Sequence, residues 1–387
     1  MNPTTLYSSF IVVFSLGMMR HIMEYVWIDA DGGMRSKTRV YTLEQFNYES
    51  VLSHPERWEW SFDGSSTGQA TGTDSDVLLR PVAIYPSPFY NNHNHNHNNN
   101  NNNPRGGAFE AHLVMCDTYN KDGTPHATNA RVKCAQTEAA CLTDEPLFGI
   151  EQEYILYDRD KEKPYQWASP YKPGCGGQGP YYCGVGGDRC FGRKIVDQHL
   201  EACLRAGLEI GGTNAEVTAS QWEFQIGPLP ATQVSDQLWM ARYILQRITE
   251  EHGCCATFHP KPLRTWNGSG GHTNFSTMEM RHNIYERASI DAIMDACTKL
   301  EANHAEHMAV YGKDNVERMT GLHETSSMHK CTWGVSDRGR SLRIPRHVAN
   351  QGCGYLEDRR PAANLDPYLI TERIMRTCCL NETREIQ

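Results

Sequence analysis

Three short runs of the chain, residues 148–156, 221–226 and 272–276, alternate apolar and polar residues with the period of a β-strand. The apolar positions of each run therefore share one face, which must be buried against a core. The opposite faces carry Glu151, Glu153, Glu223, His272, Asn274 and Ser276. This pattern restricts the chain to a fold in which a sheet packs on one side and gathers carboxylates and an imidazole on the other.

The acidic faces of these runs indicate a cation. Glu151 and Glu153 occupy neighbouring positions of one face, where two carboxylates repel each other unless solvent or a cation separates them. One such run taken alone is often a half-exposed strand. Because the pattern recurs, and Glu216 precedes the second run by a turn, a divalent metal site is favoured. Oxygen donors with one imidazole suit Mg²⁺ or Mn²⁺ better than Zn²⁺.

The length of 387 residues indicates two domains. Short β-like runs and Gly-rich turns predict a small sheet domain over residues 24–120. It contains an Asn/His-rich insertion, residues 91–103, whose ten Asn and three His predict a solvated loop interrupting a hairpin-like connection. Metal binding by those histidines would be adventitious. Residues 1–23 are interpreted as an atypical N-terminal extension, because the apolar stretch 10–19 is too short to span a membrane and no basic residue precedes it.

The remainder of the chain, residues 121–387, mixes strands and helices. Apolar stripes with helical spacing predict core-facing helices over 234–248 and 290–308, and a third helix over 195–204 that ends near Gly207. The fourteen cysteines of the whole chain are scattered and form no CxxC pair, which favours reduced thiols and a reducing compartment. We therefore expect a cytoplasmic protein, while leaving organellar targeting by the extension open.

Charge is unevenly distributed along the chain. The net charge of −9 and the lack of a basic run argue against a nucleic-acid partner. Between Arg318 and Arg360, however, seven Arg and one Lys outnumber four acids. Arginine suits bidentate recognition of phosphate or carboxylate, and arginines beside a carboxylate–metal cluster are typical of phosphoryl transfer. The sequence has no GxxxxGK[ST] motif, so a P-loop enzyme is excluded.

Eight longer motifs follow one another in an order that is specific to one family. They are WSFDGSST (60–67), FGIEQEY (148–154), QGPYYCGVG (178–186), GTNAEV (212–217), QWEFQIGP (221–228), NGSGGHTNFS (267–276), HETS (323–326) and EDRRP (357–361). From about Glu24 to its C-terminal end, the chain resembles the eukaryotic-type glutamine synthetases. The resemblance implies an α+β fold, in which an N-terminal β-grasp domain precedes a glutamine-synthetase catalytic domain (121–387) built on a curved antiparallel sheet with flanking helices.

The resemblance also implies an activity and an assembly. The activity is ligation of ammonia to the γ-carboxylate of L-glutamate through a γ-glutamyl phosphate, giving L-glutamine, ADP and phosphate, and so ammonia assimilation and glutamine biosynthesis. ATP is the co-substrate, with two to three Mg²⁺ or Mn²⁺ ions per site. The expected partner is a second copy of the chain, in a homodecamer of two pentameric rings with active sites shared between neighbours. Neither a nucleic acid nor a membrane is expected as a partner.

Site residues follow from their positions in the motifs. The resemblance implies one metal near the γ-carboxylate, held by Glu153, Glu216 and Glu223, and one on the ATP phosphates, held by Glu151, His272 and Glu357. The implied substrate-binding residues are Ser66, Trp266, Asn267, Gly268, Arg318, Arg338 and Arg359. The implied nucleotide-binding residues are Glu223, Asn274, Phe275, Ser276, Arg338, Arg343 and Tyr355. The implied catalytic residues are Asp63, Glu324 and Arg338.

The catalytic roles implied by the family concern the ammonia. Asp63, with Ser66 beside it, is the candidate base that deprotonates ammonium, while Glu324 closes the pocket and takes a proton from the adduct. Two alternatives remain open at this point. One is a ligase that uses another amine, such as a polyamine, or a different acid. The other is a non-catalytic relative that keeps the ring-forming fold, although such a protein should have lost glutamates or arginines that are all present here.

Overall fold

The small N-terminal sheet has five strands in the order β2-β1-β5-β4-β3. The computed structural model describes residues 19–90, 109–160, 163–167, 180–282 and 289–382. The strands are β1 (Met19–Ile28), β2 (Met34–Leu43), β3 (Trp60–Asp63), β4 (Asp76–Pro86) and β5 (Phe109–Tyr119). β1 pairs with β5 in parallel, and the other neighbours are antiparallel. Helix α1 (Tyr48–Ser53) contributes Val51 to the apolar core of this sheet, as expected for a β-grasp domain.

The first strand begins five residues earlier than the sequence predicts. β1 starts at Met19 and includes residues 19–23, which the sequence analysis places in the extension. These residues pair with β2 on one side and β5 on the other. These partners bury His21 and Met23, an effect that local periodicity cannot reveal. The rest of the predicted extension and the whole insertion 91–103 lie outside the described residues. The interrupted hairpin is confirmed, because β4 and β5 are antiparallel neighbours.

The large sheet has eight strands and carries the three runs that alternate apolar and polar residues. Its strands are β6 (Leu147–Asp158), β7 (Ile210–Ala215), β8 (Gln221–Leu229), β9 (Cys254–Thr257), β10 (Gly271–Ser276), β11 (Trp333–Val335), β12 (Leu342–Ile344) and β13 (Leu356–Asp358). Their order is β11-β12-β13-β10-β6-β8-β7, with β9 also paired to β6. All these pairs are antiparallel except β11 with β12. The predicted antiparallel sheet is therefore present.

Helices share one hydrophobic core with the apolar face of the large sheet. They are α2 (Ala130–Ala140), α3 (Arg193–Arg205), α4 (Ala231–Glu251), α5 (Met278–Arg281), α6 (Ser289–Ala302), α7 (His304–Met308), α8 (Arg346–Gln351) and α9 (Pro367–Cys378). The predicted helices over 195–204 and 234–248 are confirmed as α3 and α4. The predicted helix over 290–308 is instead two helices, since the chain breaks at Asn303. Its side-chain Nδ2 donates to the carbonyl oxygen of Lys299 at 2.8 Å, where it competes with the helical backbone.

Two further properties of the described residues bear on the sequence expectations. The cysteines that the structure describes are free thiols, and most of them are buried or half-buried. Among the same residues, none of the helices combines the length and apolarity that crossing a bilayer requires.

Candidate active site

The polar face of the large sheet gathers the predicted carboxylates and imidazole through strand register. His272 on β10 lies opposite Glu151 on β6, and Glu153 on β6 lies opposite Glu223 on β8. On the other side of β10, Asn274 pairs with Glu357 of β13. The apolar positions of the same strands are buried in the core on the opposite face. The face that each side chain occupies is therefore the one predicted from the period-two pattern.

Two sets of donor atoms on this face are close enough to hold a metal ion. Glu151, His272 and Glu357 form one set, and within each set the donor atoms lie within 4.8 Å of one another. His272 Nδ1 lies 3.4 Å from Glu151 Oε2 and 3.7 Å from Glu357 Oε1. This set matches one of the two implied metal sites.

The second donor set differs from the expectation in one member. It contains Glu153, Glu223 and His272, with His272 Nδ1 3.9 Å from Glu153 Oε1. Glu216, named from the sequence as the third ligand, directly follows β7 and lines the same cavity. Its carboxylate is held by Asn214, whose Nδ2 donates to Glu216 Oε1 at 3.0 Å. Glu216 is thus beside this donor set but is not one of its close-packed members.

Electrostatics in this cluster favour a bound cation. Burial raises the pKa of Glu153, Glu216 and Glu223, and repulsion between these carboxylates raises it further. Burial also lowers the pKa of His272, and the nearby Arg359 guanidinium lowers it too. The imidazole is therefore neutral and able to coordinate a cation. A divalent cation would relieve the repulsion between the carboxylates. The donor set of carboxylate oxygens and one imidazole fits Mg²⁺ or Mn²⁺.

Arginines form one wall of the cavity, of about 610 Å³, that the carboxylates also line. This wall contains Arg318, Arg338, Arg343 and Arg359. Arg343 Nε and Arg359 Nη1 both donate to the buried Glu357 carboxylate, the latter at 2.8 Å. Nη2 of the buried Arg318 donates to the carbonyl oxygens of residues 359, 360 and 361 at 2.6–3.1 Å. The guanidinium groups of Arg318, Arg343 and Arg359 are therefore held in position, whereas Arg338 is an exposed side chain.

The loop before β10 brings backbone close to the arginine wall. Asn267 and Gly268 line the cavity, as implied for glutamate binding. A Cβ at Gly268 would lie 2.3 Å from the Pro260 carbonyl oxygen and 2.6 Å from Arg318 Cγ, so only glycine fits. Trp266 is buried next to this loop, with its ring 5.5 Å from that of Trp167. Trp266 itself is not among the residues that line the cavity.

A second cavity, of about 520 Å³, adjoins the first and shares Glu151 and Gln225 with it. Its lining is largely apolar and includes Asn274, Ser276 and Tyr355, three of the residues implied to contact a nucleotide. Phe275 also lines this cavity, but it contributes differently. Its side chain is fully buried against Phe148, with ring centroids 5.1 Å apart, because odd positions of β10 face the core. Phe275 can therefore meet a ligand only through its main chain.

The comparisons with known proteins point to one family. Residues 128–378 match the family model "Glutamine synthetase, catalytic domain". The chain is 49% identical over 360 residues to a glutamine synthetase of Agaricus bisporus, covering 93% of each sequence. It is also 49% identical over 361 residues to a glutamine synthetase of Saccharomyces cerevisiae, covering 93% of this chain and 90% of the relative. The chain belongs to the glutamine synthetase family.

A solved structure described as "GmaS/ADP complex-Conformation 1" resembles the glutamine synthetase fold of this chain. The TM-score is 0.66, with 95% of this chain and 80% of that chain covered. At 16% sequence identity, the likeness concerns the fold alone.

Two residues with expected glutamine synthetase roles lie apart from both cavities within the chain. Asp63 ends β3 in the small sheet, and neither it nor Ser66 lines the large cavity. Asp63 is exposed and accepts hydrogen bonds from Ser66 Oγ at 2.6 Å and Ser65 Oγ at 2.7 Å. These bonds, with a weaker effect of Ser75, lower the pKa of Asp63 to about 2. Such a carboxylate is a weak base. It can bind a cation by charge, but it holds a proton only weakly.

Glu324 lines the large cavity on a loop of unusual backbone geometry. His323 and Glu324 have φ of 54° and 58°, in the left-handed region that side chains other than glycine rarely adopt. Each such residue costs of the order of 1 kcal/mol or more and is found where function requires the geometry. This backbone conformation positions Glu324 in the lining of the cavity that holds the carboxylates.

Glutamine and asparagine side chains that the sequence analysis did not name also belong to the site. Gln221 Nε2 donates to Glu153 Oε2 at 3.1 Å, and Gln225 Nε2 donates to Asn214 Oδ1 at 2.9 Å. Both glutamines line the cavity and orient the metal-site carboxylates. Gln221, Glu223 and Gln225 are alternate residues of β8 and share one face. The alternation that identified Glu223 could therefore have identified both glutamines.

Proposed function

We propose that this chain is a glutamate–ammonia ligase that forms L-glutamine from L-glutamate, ammonia and ATP, with Mg²⁺ or Mn²⁺ as its metal. The observation that carries the proposal is that two carboxylate–imidazole donor sets and four arginines line one cavity. The adjoining, more apolar cavity supplies room for the nucleotide base and ribose. Together they provide the parts that phosphoryl transfer to a carboxylate needs.

The first step activates the carboxylate. An oxygen of the glutamate γ-carboxylate attacks the γ-phosphorus of ATP, and the bond from that phosphorus to the ADP oxygen breaks. Arg338 and Arg343 neutralise the charge that spreads over the phosphoryl oxygens. A divalent ion held by the two donor sets would polarise the same oxygens. The loop at Asn267 and Gly268 positions the amino acid.

The second step forms the carbon–nitrogen bond. Ammonia attacks the acyl carbon of the γ-glutamyl phosphate, and the bond to the phosphate oxygen breaks. Because ammonium is not nucleophilic, it must first release a proton. The Asp63 carboxylate binds the ammonium by charge and, as a weak base, passes the released proton on to solvent, whereas Glu324 in the cavity lining accepts the proton released from the adduct.

The activity is tested by following ADP and glutamine together while ATP, ammonium and the divalent ion are omitted one at a time. We expect equal amounts of both products and dependence on all three. Arg338→Lys should lower kcat at least tenfold, since lysine cannot form the bidentate contact. Arg340→Lys is the matched control, because Arg340 is exposed and pairs with Asp337 at 2.9 Å. Turnover with a polyamine but not with ammonium would contradict the proposal.

We also propose that the chain assembles as a decamer of two pentameric rings, with each site built from two neighbours. Support comes from Asp63 and Ser66, which lie exposed on the small sheet and away from the large cavity of their own chain. A neighbour in a head-to-tail ring would bring this loop to the cavity.

Shared sites predict complementation. Asp63→Ala and Glu324→Ala subunits should each be nearly inactive. Unfolded and reassembled together in equal amounts, they should recover about a quarter of wild-type activity, because random neighbours restore one site in roughly four. Mixing without subunit exchange is the control and should recover nothing. If mixed rings of verified composition stay inactive, the site is built within one chain.

A cytoplasmic location is proposed as well. It is supported by the free thiols among the described cysteines, which suit a reducing compartment. Fluorescence of a tagged full chain in its own cells would test it, and fluorescence confined to an organelle would contradict it.

A further inference from the structure

A third group of metal-ligating side chains lies in the small sheet, apart from the active site. It consists of His21 on β1 with Glu110 and His112 on β5. The parallel register places His21 beside Glu110, and His112 follows two residues later along β5. All three side chains therefore project from the same face of the sheet.

The three donor atoms form a compact triangle. His21 Nδ1 lies 3.3 Å from His112 Nε2 and 3.6 Å from Glu110 Oε2, and His112 Nε2 lies 4.0 Å from the same carboxylate oxygen. In a tetrahedral site with bonds of about 2.0–2.1 Å, neighbouring donors are about 3.3 Å apart. The two imidazoles already have this separation. The Glu110 side chain is 41% exposed and can close the remaining few tenths of an ångström.

Neighbouring side chains hold the two imidazoles in this orientation. The ring of Phe46 stacks on both, with centroids 4.5 Å from His21 and 4.4 Å from His112. The Tyr48 hydroxyl lies 3.2 Å from His112 Nδ1, the ring nitrogen that points away from the triangle. With Nε2 coordinated, Nδ1 carries the proton and donates it to the Tyr48 oxygen. Such an outer partner is the usual means of fixing the tautomer of a metal-binding histidine.

Protonation does not oppose coordination here. Both histidines are almost fully buried, at 2% and 3% exposure. Burial lowers the pKa of His112 to about 4 and lowers that of His21 despite the nearby Glu110 carboxylate. Both rings are therefore neutral at pH 7 and offer lone pairs to a cation.

We propose that His21, Glu110 and His112 bind a Zn²⁺ ion that ties β1 to β5, with water completing the tetrahedron. Two imidazoles and one carboxylate form a zinc-type donor set, in contrast to the oxygen-rich sets of the active site. The ion acts on stability rather than on the ligase reaction, because it joins the first strand of the fold to its parallel neighbour. The alternative is a direct hydrogen bond between two neutral imidazoles, which needs no metal.

The test uses the full chain with His93, His95 and His97 replaced by Asn, since that run offers imidazoles of its own. Metal is stripped with a chelator, and Zn²⁺ binding is then measured by equilibrium dialysis in saturating Mg²⁺, which competes at the active site. Co²⁺ replaces Zn²⁺ in a parallel experiment, because a four-coordinate site gives it strong visible absorption. We expect Mg²⁺-resistant Zn²⁺ binding, a rise in melting temperature, and the Co²⁺ spectrum.

Variants in the same background locate the ion. His21→Gln and His112→Gln should abolish that bound Zn²⁺ and the Co²⁺ bands. The matched control is His126→Gln. The His126 ring is not part of the triangle and bonds to the Gln69 carbonyl oxygen at 2.7 Å. This variant should keep both signals.

Two milder variants decide the question if the histidine variants do not fold. Glu110→Gln changes a partly exposed side chain and should weaken Zn²⁺ binding at least tenfold. Tyr48→Phe should weaken it about tenfold while leaving the melting temperature of the metal-free protein nearly unchanged. Equal Zn²⁺ binding by parent and variants, or no Mg²⁺-resistant Zn²⁺ in the parent, would overturn the proposal and leave the histidine–histidine hydrogen bond.

Discussion

Replacing Glu223 by Gln should stabilise the metal-free protein while removing its activity. Burial, followed by repulsion from Glu153 and Glu151, raises the pKa of Glu223 from 4.5 to about 8. Between pH 4.5 and about 8, Glu223 is therefore protonated in the folded state and ionised in the unfolded chain. Stability of the metal-free protein must fall as pH rises from about 4.5 to about 8, because ionisation is opposed only in the folded state.

The size of the effect follows from the raised pKa. Each unit corresponds to about 1.4 kcal/mol, and since Glu223 shares its repulsion with its neighbours, removing its charge should relieve on the order of 2–4 kcal/mol at pH 8. That is a rise of a few degrees in melting temperature. A metal present at a hundred times its dissociation constant stabilises the wild type by about 2.7 kcal/mol, whereas the variant has lost one ligand and gains little. In chelator the variant should therefore melt above the wild type, and adding Mg²⁺ should raise the melting temperature of the wild type while leaving that of the variant nearly unchanged.

The assay is a thermal melt of each protein between pH 5 and 8, in chelator and in saturating Mg²⁺, together with glutamine formation. Glu372→Gln is the matched control, because Glu372 is similarly buried but pairs with Lys133 at 3.7 Å and Arg376 at 3.3 Å. It should lower stability or leave it unchanged and should keep both activity and the Mg²⁺ shift. The reasoning is refuted if Glu223→Gln melts below the wild type in chelator at pH 8, or responds to Mg²⁺ as the wild type does.

Three other changes test separate parts of the structure. Gly268→Ala places a Cβ 2.3 Å from the Pro260 carbonyl oxygen and should cost about 1–3 kcal/mol and raise KM for glutamate, measured by denaturation and steady-state kinetics; an unchanged KM would contradict this. Asp358→Asn leaves the fully buried Arg360 without its charge partner, 2.7 Å away, and should cost about 3–5 kcal/mol in urea unfolding, so a loss under 1 kcal/mol would be inconsistent with that pair. Replacing residues 91–103 by a short Gly-Ser link should leave activity and melting temperature nearly unchanged, since the flanking strands β4 and β5 are already antiparallel neighbours; loss of turnover would give the insertion a role.

Local periodicity predicted which face of each strand carries chemistry, but not which strands are neighbours. Alternation alone placed Glu151, Glu153 and Glu223 opposite apolar residues, as the register confirms. That His272 lies beside Glu151 depends on pairing between residues 121 positions apart in the chain, which no local pattern contains. The family resemblance supplied that information, because it assigns Glu151 and His272 to the same metal site.

Of the remaining differences, only one depends on long-range contacts. The early start of β1 depends on β2 and β5, whereas the break at Asn303 accompanies a local side-chain hydrogen bond to the residue four positions earlier. Phe275 was named with its neighbours in the motif although its parity places the side chain in the core. Gln221 shares the parity of Glu223 and could have been predicted, whereas the weak basicity of Asp63 required the hydrogen bonds of its turn to be known.

The central claim, that a carboxylate is phosphorylated in the cavity between the carboxylates and the arginines, is tested most directly by isotope transfer. L-glutamate labelled with ¹⁸O in its γ-carboxylate is incubated with the enzyme, ATP, Mg²⁺ and ammonium, and the phosphate released is analysed by mass spectrometry. If the γ-carboxylate oxygen attacks ATP and leaves with the phosphate, each glutamine formed is accompanied by one phosphate carrying ¹⁸O. Glutamine formed with unlabelled phosphate would contradict the account, because no acyl phosphate would have formed from the γ-carboxylate.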